Sequence, residues 1–286
     1  MSQQDPAPLS DEDQEDPFEI DRSVAHAARR YNYLLGGTDN FEADRISGDA
    51  IVAAFPTVRT AVMENRRFLR RAVTYLVEEA GIRQFLDIGT GIPSADNVHE
   101  VAQAMDPKAR VVYVDNDPIV LSHAHRLLSS TVDGVTTRYI HADLREPDTI
   151  LGHPDLRATL DLAEPVALML LSVVPFLPDS DDPYGKVARL TEPLAPGSHL
   201  AMSHGTSDFR SAEAAAAFEA MVKRETARSR ESGKNRDRAE FTRFFDGTEL
   251  VPPGIVALPD WRSELPPAER PSAADVSYYG AVARIR

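Results

Sequence analysis

The run Gln84-Phe85-Leu86-Asp87-Ile88-Gly89-Thr90-Gly91-Ile92-Pro93-Ser94 limits the fold more than any other stretch of the chain. Phe85, Leu86 and Ile88 form a short apolar run that stops at two glycines, and Val98, Val101, Ala102 and Met105 then recur at helical spacing. A buried parallel strand feeding a tight glycine turn and a helix is how doubly wound α/β sheets build a nucleotide-type site. Glycine suits such a turn because a Cβ would collide with a ligand lying against the backbone. Ser94 stands where the third glycine of the dinucleotide fingerprint would be, so the match is partial and a plain tight turn is the competing reading.

The units that follow repeat the pattern. Arg110 to Asp115 is rich in β-branched residues and reads as a second buried strand, with Asp117 and Pro118 opening a helix whose buried face is Val120, Ala124, Leu127 and Leu128. Asp115, at the carboxyl end of that strand, is placed to accept the ribose hydroxyls of an adenosine. A third strand, from Val135, ends just before Asp143, where a carboxylate can accept from an adenine amino group. An Asp in a turn before Pro147 is the alternative there. Pro165 to Val174 is a continuous apolar run suited to a central strand buried on both faces, and Ser198 to His204 is a further strand. Between them lie the Pro175–Pro183 loop and a helix over Tyr184–Leu194. The chain closes with two strands, Gly254–Leu258 and Ser277–Ile285, which without a helix between them predict an antiparallel pair at the sheet edge.

Before the glycine turn, the acid-rich stretch from Met1 has little to bury and reads as a disordered tail over residues 1–22. Residues 23–80 read as a helical segment, with one helix stopping at Gly36-Gly37 and a longer one over Ala61–Ala80 that buries Phe68, Ala72, Tyr75 and Leu76. A helix–turn–helix connector is the plain reading of the glycine pair. The rest, 81–286, reads as one α/β domain carrying a helical insertion over 211–245, whose interleaved charges predict a solvated face.

Composition removes several function classes. With no cysteine among 286 residues, disulfides, thiolate metal sites and cysteine nucleophiles are absent. His123-x-His125 does not put two ligands on one helical face, so no metal site is expected. The net charge of −14 disfavours nucleic acid and favours a small molecule. No apolar run approaches the roughly 20 residues that span a bilayer, which makes a cytoplasmic protein with no membrane partner the expectation. Nothing in the sequence speaks to the oligomeric state.

Asp87-x-Gly89-x-Gly91, Asp115, Asp143-Leu144 and the Leu171-Ser172 strand end together resemble the class I S-adenosylmethionine-dependent methyltransferases. More narrowly, the chain is similar to a family of S-adenosyl methyltransferases once known only as a domain of unknown function. Tyr33 to Arg45, Asn65 to Leu69, Gln84 to Gln103, Val111 to Pro118 and Pro196 to His204 carry that likeness, which extends from Ser23 to Arg286. The resemblance implies a Rossmann-like doubly wound sheet of seven strands, the last antiparallel, under an N-terminal helical lid. It also implies S-adenosylmethionine as cofactor and a small-molecule methyl acceptor.

On the same grounds Gly89, Thr90 and Gly91 would face the methionyl part with Asp87 beneath them, and Asp115 would take the ribose. Asn116 would lie at the adenine edge, Asp143 and Leu144 would hold the adenine, and Ser172 would lie near the sulfur. Gly36, Gly37 and Asn40 would fold over the cofactor, and His204 is the candidate base, with a structural histidine as its alternative. Two positions depart from the family pattern: Asp is usual where Asn32 stands, and His where Pro175 stands. A catalytically silent S-adenosylmethionine-binding module is the second reading, and a nicotinamide-dependent dehydrogenase, which wants the third glycine, is a third.

Overall fold

The computed structural model describes residues 20–94, 96–120, 122, 137–228 and 233–286. Most of the acidic tail, the pair His123 and His125, and the helix positions Ala124, Leu127 and Leu128 lie outside the described residues.

Five strands run parallel: β1 (Gln84–Ile88), β2 (Arg110–Asp115), β3 (Thr137–His141), β4 (Ala167–Leu171) and β5 (His199–Gly205). Their order is β3-β2-β1-β4-β5, so the chain starts in the middle of the sheet and winds outward in both directions. The closing strand, β8 (Tyr278–Arg284), lies antiparallel against β5 along its full length. The edge beyond it is made by β6 (Glu249–Leu250) and β7 (Val256–Ala257), each pairing antiparallel with β8. The antiparallel pair expected at the sheet edge is present as β7 and β8, and one expectation changes: the edge beyond β8 is broken in two. Pro252 and Pro253 fall in the break, where their missing N–H groups cannot serve a ladder. The interrupted edge accounts for eight strands instead of seven. The architecture is the doubly wound α/β sheet with an antiparallel last strand expected from the sequence.

Alternation along the strands splits the core in two, because successive side chains point to opposite faces. Leu86, Ile88, Leu168 and Leu170 join one cluster, which is covered by α5 (Pro147–Gly152), α6 (Pro154–Thr159) and α7 (Pro183–Thr191). Phe85, Val111, Ala167 and Met169 join the other, under α3 (Val58–Glu78) and α4 (Val98–Met105). Ahead of α3 come α1 (Ala27–Leu34) and α2 (Glu42–Ala54). In α3 Ala61, Phe68, Ala72 and Leu76 are fully buried, one stripe at helical spacing, while Tyr75 is only half-buried.

The insertion is the largest departure. Its first part is a mostly exposed helix, α8 (Ala212–Arg228), but residues 233–237 have no regular secondary structure. After the short α9 (Arg238–Thr242), Phe244 and Phe245 enter the core beside Phe241. Three aromatic side chains within five positions outweigh the charge pattern that suggested a solvated helix throughout. Arg236, expected on the solvated face, is buried.

The only tryptophan, Trp261, is fully buried with its ring 5.3 Å edge-on from that of Phe68. The Arg71 side chain donates to the Trp261 carbonyl at 2.8 Å and to the Leu258 carbonyl at 2.7 Å, pinning this loop to α3. Replacing Phe68 by Ala empties a well-filled site, so we expect a loss of about 3–5 kcal/mol of stability. Urea unfolding followed by Trp261 fluorescence should show it, together with a red-shifted native emission.

Candidate active site

Parallel strands deliver their carboxyl ends to one edge of the sheet. Because β8 runs the other way, its first residue, Tyr278, arrives at the same edge opposite Gly205. Strand order reverses between β1 and β4, the place where open α/β sheets leave a crevice. A cavity of about 480 Å³ lies there, in the size range of small-ligand sites.

At the β1–β3 end, the cavity is lined by Asp87, Gly89, Thr90, Gly91, Asp115, Asn116, Asp143 and Leu144, with Ser172 following β4. Gly89 and Gly91 have φ values of +75° and +69°. A Cβ on Gly89 would strike Val173 at 2.3 Å, whereas one on Gly91 would meet nothing within 4 Å, since that position faces open space. Gly91 therefore presents bare backbone to the cavity, and Gly89 is a packing requirement. The Gly91 amide donates to Asp115 Oδ2 at 2.8 Å and the Asp117 amide to Asp115 Oδ1 at 2.9 Å. Burial raises the Asp115 pKa, with these two amides working against it. Asn116 Nδ2 donates to Asp143 Oδ2 at 2.9 Å, so the tips of β2 and β3 are clasped side chain to side chain. Ser172 holds φ +59°, uncommon for a residue with a Cβ, and its hydroxyl pairs with that of Tyr278 at 2.9 Å.

Four residues are not brought to the cavity wall. Gly36, Gly37 and Asn40 close the α1–α2 turn on itself: Asn40 Nδ2 donates to Asn32 Oδ1 and to the Gly37 carbonyl, both at 2.9 Å. A Cβ on Gly37 would collide with the Asn32 amide at 2.4 Å, so that glycine is needed for local packing. Asn32 fits this turn as an uncharged acceptor. His204 is buried at 0% exposure; its Nδ1 lies 2.7 Å from the Gly205 carbonyl and its Nε2 lies 3.0 Å from an Arg236 nitrogen. Burial pushes its pKa down to about 3. His204 is a neutral structural histidine and not a base at the site.

Arg236 explains why. Its guanidinium donates to the Leu177 carbonyl at 2.9 Å and contacts Asp179 at 3.1 Å, holding the loop that carries Pro175, Phe176 and Leu177 into the cavity wall.

Several lining residues had no individual reading from the sequence. Tyr31 and Leu34 of α1, Ile51 of α2 and Phe55, Val58 and Val62 wall the cavity from the N-terminal helices. Asn65 Nδ2 donates to the Tyr31 hydroxyl at 3.0 Å and Ser203 Oγ donates to Asn65 Oδ1 at 2.6 Å, linking α1, α3 and β5. His26 at the start of α1 contacts Asp117 Oδ2 at 2.9 Å, and Arg29 Nε contacts the same oxygen at 3.3 Å. Burial opposes charge on Asp117, but these partners hold its carboxyl below the ordinary value. Asn65 sat in a stretch marked by resemblance; Arg210 and Tyr278 left no periodic or spacing signal.

The chain matches the S-adenosyl methyltransferase family over residues 13–286. A DUF574 family protein from Streptomyces avermitilis MA-4680 is 47% identical, with TM-score 0.87 over 94% of this chain and 100% of that one. A candidate methyltransferase from Thermobifida fusca YX is 37% identical, with TM-score 0.85 over 93% of this chain and 97% of that one. A mitomycin 7-O-methyltransferase, at 14% identity and TM-score 0.50 over 80% of this chain and 56% of its own, shares the fold alone. No curated protein matches the chain.

Asp87 gives a pH signature. Burial raises its carboxyl from 3.8 to about 7, with Arg66 lowering and Asp115 raising it as smaller influences. The folded state therefore binds a proton that the unfolded chain has released between these values, and stability falls as pH rises from about 4 to about 7. Asp87→Asn should flatten that part of the stability profile and make the ligand-free protein more stable than wild type at pH 8, measurable by urea melts across the range.

Proposed function

The chain belongs to the S-adenosyl methyltransferase family, and from that premise we propose that it transfers a methyl group from S-adenosylmethionine to a small molecule held in the same cavity. The observation that carries this reading is the continuity of the cavity. It joins a polar end at the tips of β1, β2 and β3 to an apolar end walled by Leu34, Ile51, Phe55 and Val58. The polar end fits the family's cofactor, S-adenosylmethionine. Gly91 offers backbone with open space before it, and the carboxylates of Asp115 and Asp143 and the Asn116 amide suit an adenosine.

In this reading Asp115 accepts from the ribose, Asn116 and Asp143 address the adenine edge, and Leu144 packs on its face. Gly89, Thr90 and Gly91 border the methionyl part, and Ser172 lies toward the sulfur. The cofactor supplies a methyl group already activated on a sulfonium. The remaining task for the protein is alignment and exclusion of water, and alignment alone can be worth about 7–11 kcal/mol. Among the described residues lining the cavity the one histidine is His26, which is engaged by Asp117. Tyr31, pushed up to about 12 by burial, stays protonated. A cavity with these groups suits an acceptor atom that attacks without giving up a proton first, such as an uncharged amine nitrogen.

Asp87 would respond to the cofactor's positive charge, because a nearby cation favours the carboxylate form. We expect S-adenosylmethionine binding near pH 6.5 to release a proton, seen as a dependence of the binding heat on buffer ionisation, and Asp87→Asn to abolish that release. Gly91→Val should weaken cofactor binding at least tenfold, since it forces a branched side chain into a left-handed backbone costing about 1–2 kcal/mol and fills the cradle. Incubation of the full chain with labelled S-adenosylmethionine and a metabolite extract tests transfer itself. Methylated product supports the reading; tight binding without any product overturns it in favour of a silent binding module.

A further inference from the structure

Arg210 carries a charge that the protein does not answer. It follows β5 in a turn whose backbone is tied down, Thr206 N donating to the Ser277 carbonyl at 2.9 Å and Arg210 N to the Ser207 carbonyl at 3.0 Å. Its side chain lines the cavity with the guanidinium carbon 3.8 Å from the ring centre of Phe55 and 4.1 Å from that of Phe218. The rings orient the group from its faces and supply no acceptor to its N–H groups. Nε is buried without a hydrogen-bond partner, and among the described residues no carboxylate pairs with the side chain. The acid nearest in sequence is turned away: Asp208 Oδ2 accepts from the Tyr279 hydroxyl at 2.9 Å and from the Arg238 amide at 2.8 Å.

In a chain with 45 acids to 31 bases, a half-buried cation whose Nε is shut away from solvent without an acid is conspicuous. Leaving it so is costly unless something else completes it. Burial already lowers the Arg210 pKa to about 10.

Resting on the methyltransferase reading, we propose that Arg210 receives a carboxylate of the methyl acceptor, whose apolar body lies against Phe55 and Phe218. A planar guanidinium matches a carboxylate edge to edge, and one such fork balances one negative charge, whereas a phosphate dianion would want further donors. The location separates this role from the cofactor's own carboxylate. Arg66 is the cation that acts on Asp87 below the glycine turn, while Arg210 acts on Tyr278 at the start of β8, across β1, β4 and β5 from the adenosine end.

The test uses the full chain saturated with S-adenosylhomocysteine and two matched probe pairs, phenylacetate with phenylacetamide and hexanoate with hexanamide. Calorimetry or ligand-observed NMR should find each acid bound at least about tenfold more tightly than its amide, the discrimination expected of a charge-assisted contact. Arg210→Met should erase that preference while leaving the S-adenosylhomocysteine Kd unchanged, and Arg210→Lys should keep part of it. The melting temperature of unliganded Arg210→Met should be equal to or above that of wild type, because an unanswered charge has been removed. Equal binding of acids and amides by wild type overturns the assignment with no variant needed. Loss of S-adenosylhomocysteine affinity in Arg210→Met overturns it too, by giving Arg210 to the cofactor. If S-adenosylhomocysteine does not bind wild type at all, the methyltransferase reading falls, and this inference with it.

Discussion

The carboxylate of Asp115 is the joint on which the polar end of the cavity turns. One oxygen takes the Gly91 amide and the other takes the Asp117 amide, so a single side chain sets the distance between the loop after β1 and the loop after β2. Asp117, held in place by that bond, offers its own carboxylate to His26 and Arg29 at the start of α1. Asp44 of α2 continues the relay, accepting from the His26 amide at 2.9 Å and from the Phe41 amide at 2.9 Å. Three acids thus tie strand tips to the helices that roof the cavity. Each charge-assisted bond is shielded from water, which is why it can orient as well as attract.

The two ends of the cavity are made in different ways. Backbone geometry makes the polar end: left-handed glycines, strand termini and amides aimed at a carboxylate. Side chains brought from remote parts of the chain make the apolar end, with Phe55 after α2, Phe218 on α8 and Tyr278 at β8 meeting around Arg210. This difference explains what could be read in advance. The strand, turn and acid around Gly89 and Asp115 obey local rules of period, propensity and φ, and they are where the sequence indicated. The extra strand β6 beside β7 depends on pairing across the sheet with β8, and no local pattern records it. The failure at His204 has the same origin. A strand's carboxyl end says which edge a residue is on, but its depth below that edge is set by Arg236, Phe241 of α9 and Phe244 just after it, which arrive from over thirty residues away. Gly36, Gly37 and Asn40 show a reverse case. Their mutual hydrogen bonds are local, and the helix–turn–helix reading weighed beside the lid already described them.

Arg236 reaches further than its own loop. By gripping the carbonyl of Leu177 while its neighbour Lys234 donates its amide to the carbonyl of Pro175 at 2.8 Å, the end of the insertion is stitched to the segment after β4. The described parts of the stretch from Thr206 to Arg238 therefore resemble a cartridge seated at its far end by these two contacts. They bring Arg210, Phe218 and Met221 to the cavity wall, while the ends of β1, β2 and β3 supply the glycine turn and the carboxylates. On the proposed function, exchange of such a cartridge would change what is methylated and leave the glycine turn intact, provided the contacts to the Leu177 and Pro175 carbonyls are kept.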